Sequence, residues 1–370
     1  MTDNRLYPAL IVEALKNVRY PGNGKNIVEL GMLADDIRID GNKVTFTINF
    51  DKPTDPFAKS LAKAAEATLK TYIGDFVEPT VMTAFPQPAQ AAAKILPGVA
   101  NIIGVSSGKG GVGKSTVASN LAVALAKEGY RVGLLDADIF GPSVPKMFAV
   151  EDEQVYMHEV DGTPLIIPLE KYGVKLLSIG FLVDKNSAVL WRGGMASNAL
   201  RQLITEADWG TLDYFLIDMP PGTSDIHLTL VQTLDITGAI VVTTPQEVAL
   251  ADARKGISMF TGDKVNVPVL GLVENMAWFT PEKHPDEKYY IFGRGGGERL
   301  ARETGVPLLA QIPLVGKVCE GGDEGKPVAL ADDTITSMAF THLAHEVIEA
   351  VDRRNATLPP TRHVDLSASR

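Results

Sequence analysis

Cysteine is almost missing from this chain of 370 residues, since Cys319 is the single one. One thiol excludes a disulfide within the chain. Basic residues are also in deficit, with 35 Lys and Arg against 45 Asp and Glu and a net charge of −10. An acidic balance argues against a mainly electrostatic grip on nucleic acid, although it leaves room for a local basic patch. We therefore expect no nucleic-acid partner.

Long apolar runs are missing as well. No stretch approaches the roughly 20 apolar residues that a bilayer-spanning helix requires. The polar opening at residues 1–5 does not have the pattern of a signal peptide. The polar tail after residue 351 lacks the basic amphipathic helix that would attach the chain to a membrane. We therefore expect a cytoplasmic protein with no membrane partner.

Composition changes along the chain mark candidate domain boundaries. The chain has 370 residues, of which 45% are hydrophobic and 22% charged, so it is long enough for two domains. Residues 1–85 indicate a small α+β domain, and a Pro/Ala-rich stretch at residues 86–100 is typical of a linker. Residues 101–351 form the main domain, and residues 352–370 are a polar tail that we expect to be flexible.

The N-terminal segment alternates between helical and strand patterns. Residues 8–16 and 57–69 carry apolar side chains at helical spacing, which predicts two helices. Residues 27–33 form an apolar run that predicts a strand. Residues 44–50 alternate between apolar and polar side chains, which predicts a second, half-buried strand.

The main domain alternates strands with helices. Its strands are short and apolar, and this near-continuous apolar character predicts a mostly parallel sheet covered by helices on both faces. The strand candidates are residues 101–106, 132–136, 214–218, 239–243, 269–274 and 307–312. The predicted fold class is α/β, in which ligands bind at the carboxyl ends of the strands.

A glycine-rich loop follows the first of these strands. Gly108, Gly113, Lys114 and Ser115 occupy the defining positions of the phosphate-binding pattern G-x-x-x-x-G-K-[ST]. Glycines let backbone N–H groups approach phosphate oxygens, and the N-terminus of the next helix adds its positive dipole end. We expect Lys114 to neutralise the β- and γ-phosphates, Ser115 to place its hydroxyl on Mg²⁺ and Thr116 to donate to the α-phosphate. The predicted nucleotide-binding residues are Gly108, Lys109, Gly110, Gly111, Val112, Gly113, Lys114, Ser115 and Thr116.

Aspartates end two later strands. Asp136 is placed to orient the loop or the water shell of Mg²⁺, and Asp138, two residues on, is placed to position an attacking water. Asp218 ends another apolar strand, as does a Walker-B carboxylate that binds a magnesium water. The Pro-Pro-Gly at residues 220–222 suits a switch loop that senses the γ-phosphate. A helix cap or loop acid is the alternative for the Asp-x-Asp pair, and a plain turn is the alternative for residues 220–222.

The loop resembles the deviant P-loop of the SIMIBI ATPases through the sequence Lys-Gly-Gly-Val-Gly-Lys-Ser at residues 109–115. The resemblance implies that Lys109 crosses a two-fold axis to the nucleotide of a second subunit, as an arginine finger acts in trans. It therefore implies an ATP-bound homodimer, and it gives Asp138 the role of orienting the nucleophile. On this interpretation Lys109, Lys114 and Asp138 are the catalytic residues. The alternative for Lys109 is that it is a solvent-exposed lysine with no role in the site.

Five segments together resemble the Mrp (ApbC-type) family of ATP-dependent iron–sulfur cluster carriers. They are Gly-Lys-Gly-Gly-Val-Gly-Lys-Ser at 108–115, Asp-Ala-Asp-Ile-Phe-Gly-Pro-Ser at 136–143, Asp-Met-Pro-Pro-Gly-Thr-Ser-Asp at 218–225, Val-Glu-Asn-Met at 273–276 and Phe-Gly-Arg-Gly-Gly-Gly-Glu at 292–298. The N-terminal domain resembles the MIP18-like domain associated with iron–sulfur assembly, so the resemblance covers nearly the whole chain. It implies iron–sulfur apoproteins or assembly factors as partners. It also implies that Asn275 recognises adenine through its side-chain amide and that Pro313 lies against the ring. The alternative for these two residues is a polar cap at the end of a strand, with no contact to a base.

The cysteines of such a carrier are missing. In the family a Cys-x-x-Cys pair follows the Glu-Asn-Met segment and two subunits hold one [4Fe–4S] cluster, but residues 276–290 here contain no cysteine. A [4Fe–4S] cluster takes about four thiolates, whereas a dimer of this chain supplies only Cys319 from each subunit. A buried apolar role is favoured for Cys319, and a solvated acidic loop is favoured for the surroundings of His284. The iron–sulfur ligands are therefore unknown, and a client or a small thiol would have to supply them.

The favoured function is a dimeric, ATP-hydrolysing switch that acts in iron–sulfur cluster assembly or transfer to apoproteins. ATP and Mg²⁺ are the expected cofactors, and binding of a [4Fe–4S] cluster is left open. One alternative is a ParA-like positioning ATPase, which the acidic chain and the N-terminal domain argue against. The other is a nucleotide-switched adaptor that docks partners and holds no cluster.

Overall fold

The computed structural model describes most of the chain. The described ranges are 6–21, 24–34, 36–50, 55–85, 94–139, 141–160, 162–182, 193–262, 265–281, 283–284 and 286–361. The chain divides into two compact units, Met1–Ala92 and Ala93–Arg370. The division falls within the linker predicted at residues 86–100, of which residues 86–93 lie outside the described ranges. Residues 362–370 of the predicted tail also lie outside them.

The first unit is a three-stranded sheet packed with two helices. Its elements are α1 (Pro8–Leu15), β1 (Arg38–Asp40), β2 (Lys43–Asn49), α2 (Ala58–Ile73) and β3 (Glu78–Ala84). The sheet order is β1-β2-β3, with β1 antiparallel and β3 parallel to β2. The alternation predicted for β2 is confirmed, because Val44, Phe46 and Ile48 are fully buried in a core that includes apolar residues of both helices.

The strand predicted at residues 27–33 is wrong. Ile27 is buried there, but the backbone forms turns. Asn26 is the physical reason, since its Oδ1 accepts hydrogen bonds from the backbone N–H groups of Val28 and Glu29 at 3.1 and 2.8 Å. A side chain that bonds to its own neighbouring backbone in this way competes with a β-ladder. The apolar residues of this segment reach the core without forming a strand.

Strands and helices alternate through most of the second unit. In chain order its elements are β4 (Val99–Ser107), α3 (Lys114–Lys127), β5 (Val132–Asp136), α4 (Val144–Met147), β6 (Met157–Val160), β7 (Thr163–Ile166), β8 (Leu169–Lys171), β9 (Val174–Ser178), α5 (Gly193–Thr205), β10 (Leu212–Asp218), α6 (Asp225–Thr233), β11 (Gly238–Thr243), α7 (Glu247–Thr261), β12 (Val269–Phe279), α8 (Gly296–Thr304), β13 (Leu308–Leu314), α9 (Gly316–Glu324) and α10 (Ile335–Thr357). Short 3-10 helices lie at Ile179–Leu182 and Val328–Leu330.

An eight-stranded sheet forms the centre of this unit, in the order β13-β12-β11-β4-β10-β5-β9-β8. Its strand pairs are parallel except for β8 with β9 at one edge. Successive residues of β4 enter different cores, because side chains alternate between the faces of a sheet. Ile102 belongs to the core with α5, α6 and α7, and Ile103 belongs to the core with α3 and α10. Helices cover both faces, so the predicted α/β fold is confirmed.

The sequence does not predict the hairpin of β6 and β7, the edge strand β8 or its neighbour β9. Six of the eight residues in the two hairpin strands are exposed, and the one apolar run, at residues 165–167, continues past the end of β7. The turn between β8 and β9 uses Tyr172 at a φ of 53°, which a residue other than glycine seldom adopts. Two predicted strands are also longer than expected, since β12 continues to Phe279 and β13 to Leu314.

The last helix, α10, begins at a capping box in which Thr334 Oγ1 accepts a hydrogen bond from the Ser337 backbone N–H at 3.0 Å. The helix continues through Thr357, past residue 352, where the sequence predicts a flexible tail. Arg354 stabilises this end, because its buried guanidinium donates to Pro359 O and to Thr361 Oγ1, each at 2.7 Å. Across the described ranges, no helix combines the length and apolar character that crossing a bilayer requires.

Candidate nucleotide site

The glycine-rich loop joins β4 to α3 at the carboxyl edge of the sheet. Gly113, the residue before α3, has a φ of 79°, which disfavours any residue with a side chain. A Cβ added there would lie 2.2 Å from Nδ2 of Asn275. A Cβ added at Gly108 would lie 2.1 Å from the backbone carbonyl carbon of Asp252 in α7. Close packing therefore requires both glycines, independently of any phosphate.

A cleft of about 230 Å³ opens above this loop. Asp138 and Pro221, from two neighbouring strand ends, form part of its wall. The predicted nucleotide-binding residues that line it are Lys109, Gly110, Gly111, Gly113, Lys114, Ser115 and Thr116. The other two support the loop from behind, since Gly108 packs on α7 and Val112 is buried. Most of the predicted phosphate contacts thus surround one space.

Lys114 lies between two carboxylates. Its Nζ donates a hydrogen bond to Asp218 Oδ1 at 2.6 Å and lies 3.7 Å from Asp138 Oδ2. Lys114 is only 6% exposed, so its charge is concentrated at the floor of the cleft. An anion that enters the cleft would compete with these two carboxylates for the ammonium group.

Asp136 and Asp218 face each other across adjacent strands. They are register partners of β5 and β10, and both are fully buried. Asp136 Oδ1 accepts from the Asp138 N–H at 3.1 Å, and Oδ2 accepts from the Val144 N–H at 3.2 Å and the Ser178 hydroxyl at 3.0 Å. Burial, with the Asp218 charge as a second cause, raises the pKa of Asp136 to about 7. Both oxygens of Asp136 bind protein groups, so this residue holds the loop that carries Asp138.

In the described part of the chain, only one of the two carboxylate oxygens of Asp218 is bound by a protein group. Among the described residues its buried Oδ2 has no hydrogen-bond partner, which is costly for a charged group unless a ligand satisfies it. Burial raises the pKa of Asp218, while Lys114 and the neighbouring Ser115 hydroxyl oppose that rise. A carboxylate and a hydroxyl are the hard oxygen ligands that Mg²⁺ prefers. The donor set of Ser115 and Asp218, with Asp136 behind, therefore fits the predicted magnesium site.

The segment after β10, residues 219–224, is called the switch loop below. The Met219 N–H donates to Val105 O at 3.0 Å, and the Gly222 N–H donates to Ser107 O at 2.9 Å. Pro221 between them reaches the cleft. The switch loop is thus bonded to the strand that leads into the glycine-rich loop.

Lys109 lies at the rim of the cleft and is half-buried. The Ser107 hydroxyl donates to its backbone carbonyl at 2.9 Å, which fixes the backbone at this point. Within the described part of the chain, its ammonium forms no ion pair. Its predicted contact with a second subunit stays a prediction.

The two predicted adenine contacts lie on β12 and β13. Asn275 is buried, and its Nδ2 donates to Val112 O at 2.9 Å, so one end of the amide supports the glycine-rich loop. Pro313 is buried within β13. Contact of either residue with a base stays a prediction.

A second cavity, of about 340 Å³, lies past the ends of β12 and β13. Phe279, Thr280, Val315 and Ile335 are among the residues that line it. The Thr280 hydroxyl is buried, and no described residue forms a hydrogen bond with it. The sequence predicts none of these lining residues, because they come from separate segments that meet only in the fold.

Comparison with known proteins identifies the family of this chain. Residues 98–348, more than half of the chain, match the family described as NUBPL iron-transfer P-loop NTPase. The chain belongs to this family. Residues 9–79 match a second family, described as iron–sulfur cluster assembly protein. The resemblance of the chain to the iron–sulfur cluster carrier family, and that of its N-terminal segment to an iron–sulfur assembly domain, is therefore confirmed.

The similarity to individual members is extensive. An iron–sulfur cluster carrier protein of Synechocystis is 42% identical, over 91% of this chain and 96% of that protein. A protein of the same description from Aquifex aeolicus is 42% identical, over 93% and 98%. A nucleotide-binding protein of Archaeoglobus fulgidus, solved in complex with ADP, is 38% identical with a TM-score of 0.56, over 64% of this chain and 91% of that chain. The two bacterial relatives match over nearly their whole length, so both units are included.

In this member of the family, Cys319 lies on α9 and is exposed, which contradicts the buried role favoured from the sequence. The helix α9 has no buried residue, so its single thiol faces outward. Its Sγ lies 3.8 Å from Asp323 Oδ2. His284 pairs with Glu287 at 3.4 Å. Among the described residues, no group of three His, Cys, Asp or Glu side chains is arranged to hold a metal ion.

Proposed function

We propose that this protein binds and hydrolyses Mg-ATP, and that the nucleotide cycle drives a step of iron–sulfur cluster assembly or of cluster transfer to apoproteins. Membership of an iron-transfer P-loop NTPase family supports the proposal, as do relatives described as cluster carriers. One observation carries the nucleotide part: Asp218 places beside Lys114, at the floor of the cleft, a buried oxygen that has no hydrogen-bond partner within the described ranges. A single exposed thiol is compatible with the reducing cytoplasm in which we place the protein.

The residues of the cleft divide the work of phosphoryl transfer. Lys114 supplies positive charge for the β- and γ-phosphates, which would compete with Asp218 and Asp138 for its ammonium group. Ser115 and Asp218 would hold Mg²⁺, which when bound neutralises the charge that develops on the phosphates. Asp138, on the wall of the cleft, orients the attacking water. Asp136 keeps Asp138 in place through the hydrogen bond to its backbone N–H.

We further propose that ATP closes a homodimer in which Lys109 contacts the nucleotide of the second subunit. The rim position of Lys109 and the absence of an ion pair to it within the described residues support this role. Lys109→Ala should then abolish ATP-dependent dimerisation, measured by sedimentation, while nucleotide affinity changes little. If the variant dimerises with ATP as the wild type does, the proposed role of Lys109 is wrong.

We propose that the base occupies the second cavity. A volume of about 340 Å³ is sufficient for a purine. Aromatic and aliphatic walls suit the faces of the ring, and Thr280, which lines the cavity, is the proposed polar contact to a ring nitrogen once its buried hydroxyl turns towards the base. Asn275 and Pro313 lie on the same two strands but do not line this cavity, so their contact with the base is a separate proposal.

The cluster in this proposal is cargo rather than a resident cofactor. Two subunits supply two copies of Cys319, and a [4Fe–4S] cluster takes about four thiolates. The apoprotein, an assembly factor or a small thiol must therefore contribute ligands while the cluster is handled. The N-terminal unit is the proposed docking site for such partners.

The proposal is tested by ATP hydrolysis and by anaerobic reconstitution with iron, sulfide and a small thiol. We expect phosphate release that Lys114→Ala abolishes, and we expect transfer of a cluster to an apo acceptor, followed by absorbance near 400 nm. Cys319→Ala shows whether that thiol is a ligand. If the wild type neither holds nor transfers a cluster but captures clients when ATP is present, the protein is a nucleotide-switched adaptor.

A further inference from the structure

His227 is a buried titratable residue that the nucleotide chemistry above does not use. It lies in the first turn of α6, directly after the switch loop, and is 1% exposed. Its Nδ1 accepts a hydrogen bond from the Ser224 backbone N–H at 3.2 Å, which caps the N-terminus of α6. The imidazole therefore holds the point at which the switch loop becomes a helix.

The other ring nitrogen faces β4. His227 Nε2 lies 3.4 Å from the hydroxyl oxygen of Ser106. Because Nδ1 accepts a hydrogen bond, we assign the proton to Nε2, which then donates to Ser106. Burial lowers the pKa of His227 to about 4, so the ring is neutral near neutral pH and can hold this tautomer. The His227 side chain thus connects the end of the switch loop to β4, the strand that leads into the glycine-rich loop.

Three consecutive residues of β4, Val105 to Ser107, contact the switch loop or the start of α6. Val105 O accepts from the Met219 N–H and Ser107 O accepts from the Gly222 N–H. Between them, the Ser106 hydroxyl faces His227. The first two contacts use backbone atoms of the switch loop itself. The third uses side chains and reaches past the loop into α6, so it ties the helix to β4.

We propose that His227 is a positioning residue that couples α6 and the switch loop to the nucleotide state of the glycine-rich loop. The inference rests on the proposed ATPase function. Movement of β4 at Ser106 reaches α6 through His227, and α6 is joined to α5 by the Ser197 and Thr229 hydroxyls at 3.1 Å. Leu228 of α6 is partly exposed. A nucleotide-dependent shift of α6 therefore reaches the protein surface.

Three variants separate the hydrogen bonds of His227 from its volume. His227→Gln keeps an acceptor for the Ser224 N–H and a donor for Ser106. His227→Phe keeps a ring beside Phe260, whose centroid lies 6.3 Å away, but removes the hydrogen bonds of both ring nitrogens. Ser106→Ala removes only the acceptor on β4 and leaves the cap of α6 intact.

We expect Ser106→Ala to lower the kcat for ATP about fivefold, the effect of one hydrogen bond, and His227→Phe to lower it further. His227→Gln should stay within about twofold of the wild type, and the affinity of all three for a fluorescent ATP analogue should change less than kcat. A loss confined to KM, or equal losses for His227→Gln and His227→Phe, would show a structural role and overturn the inference.

Amide hydrogen exchange supplies the second readout. In the wild type, the amides of Gly222, Thr223 and Ser224 should be better protected with a non-hydrolysable ATP analogue than with ADP. In Ser106→Ala and His227→Phe, these three amides should be equally protected with the analogue and with ADP. In the same two variants, both nucleotides should still protect the amides of the glycine-rich loop. If Ser106→Ala keeps the difference in protection between the ATP analogue and ADP, the inference is wrong. If His227→Phe does not fold, the result for Ser106→Ala alone decides the test. If the wild type does not hydrolyse ATP, the proposed function fails, whereas the exchange experiment still tests the coupling.

Discussion

Lys114 Nζ donates to Asp218 Oδ1 over 2.6 Å, and the other oxygen of the same carboxylate is buried and has no hydrogen-bond partner in the described part of the chain. A buried ion pair compensates for its desolvation only when the remaining lone pairs are also satisfied. This pair is therefore incomplete as a purely structural contact. A magnesium ion beside Ser115 would complete it, which is why the arrangement indicates a site for Mg-nucleotide.

Asp218→Asn tests this interpretation directly. The amide keeps the shape of the side chain but removes the charge that the cation requires, so ATP hydrolysis should fall by about 100-fold or more. Phosphate release measured against Mg²⁺ concentration is the readout.

Asp213→Asn is the matched control. Asp213 lies on the same strand, β10, but pairs with the exposed Arg131 at 2.6 Å. A surface pair of this kind contributes little to stability, and the residue is not part of the cleft, so hydrolysis should be unchanged. Equal activity of the Asp218 variant and this control would contradict the magnesium assignment.

Gly108→Ala should damage the loop through packing rather than through lost phosphate contacts. The new Cβ would lie 2.1 Å from the backbone of Asp252, so the loop or α7 must shift. We expect a loss of about 1–3 kcal/mol in the free energy of unfolding, together with weaker nucleotide binding.

Gly110→Ala is the control for this variant, because the nearest atom to its new Cβ, in Pro221, lies 4.0 Å away. It should change the free energy of unfolding by no more than about 0.5 kcal/mol. Urea unfolding followed by tryptophan fluorescence reports on the second unit, which contains the glycine-rich loop. All three tryptophans, Trp191, Trp209 and Trp278, belong to this unit, Ala93–Arg370. Equal stability of the two variants would refute the packing argument.

The sequence predicts the parts of this site that follow from local chemistry. The phosphate-binding pattern requires glycines, Lys114 and Ser115 at fixed spacing, so it is recognisable without tertiary structure. The pairing of Asp136 with Asp218 is different, because it depends on β5 and β10 being neighbours in the sheet. The roles of His227 and Thr280 depend on which distant segments pack against them, and no local pattern records those neighbours.

Thr280→Val should separate stability from binding at the second cavity. Valine has nearly the same shape as threonine, and the replaced hydroxyl is buried with no hydrogen-bond partner among the residues that the structure describes. Its removal should stabilise the nucleotide-free protein by about 1 kcal/mol. If the hydroxyl bonds to the base, ATP affinity should fall about fivefold at the same time.

Met338→Val is the control for this experiment, because Met338 is 62% exposed on α10 and is not part of the cavity lining. It should leave nucleotide affinity unchanged in isothermal titration. Undiminished affinity in Thr280→Val would exclude the hydroxyl from base recognition.

His227 should make the second unit less stable in mildly acidic solution. Burial lowers its pKa from 6.5 to about 4, so between these values the unfolded chain binds the proton more readily than the folded chain. The stabilisation is complete above the unfolded pKa and is lost as the pH falls towards the folded pKa. Relative to His227→Gln, the wild type should lose about 2 kcal/mol of unfolding free energy between pH 7.5 and pH 5.

Asp136 acts in the opposite direction on this pH dependence. Its pKa is raised to about 7, so the folded chain binds a proton more readily than the unfolded chain and gains stability as the pH falls. Because Asp136 is present in the wild type and in His227→Gln, its contribution cancels in the difference between the two proteins. Urea unfolding of both proteins at each pH gives that difference. A difference that does not change with pH would mean that His227 is not held neutral by burial.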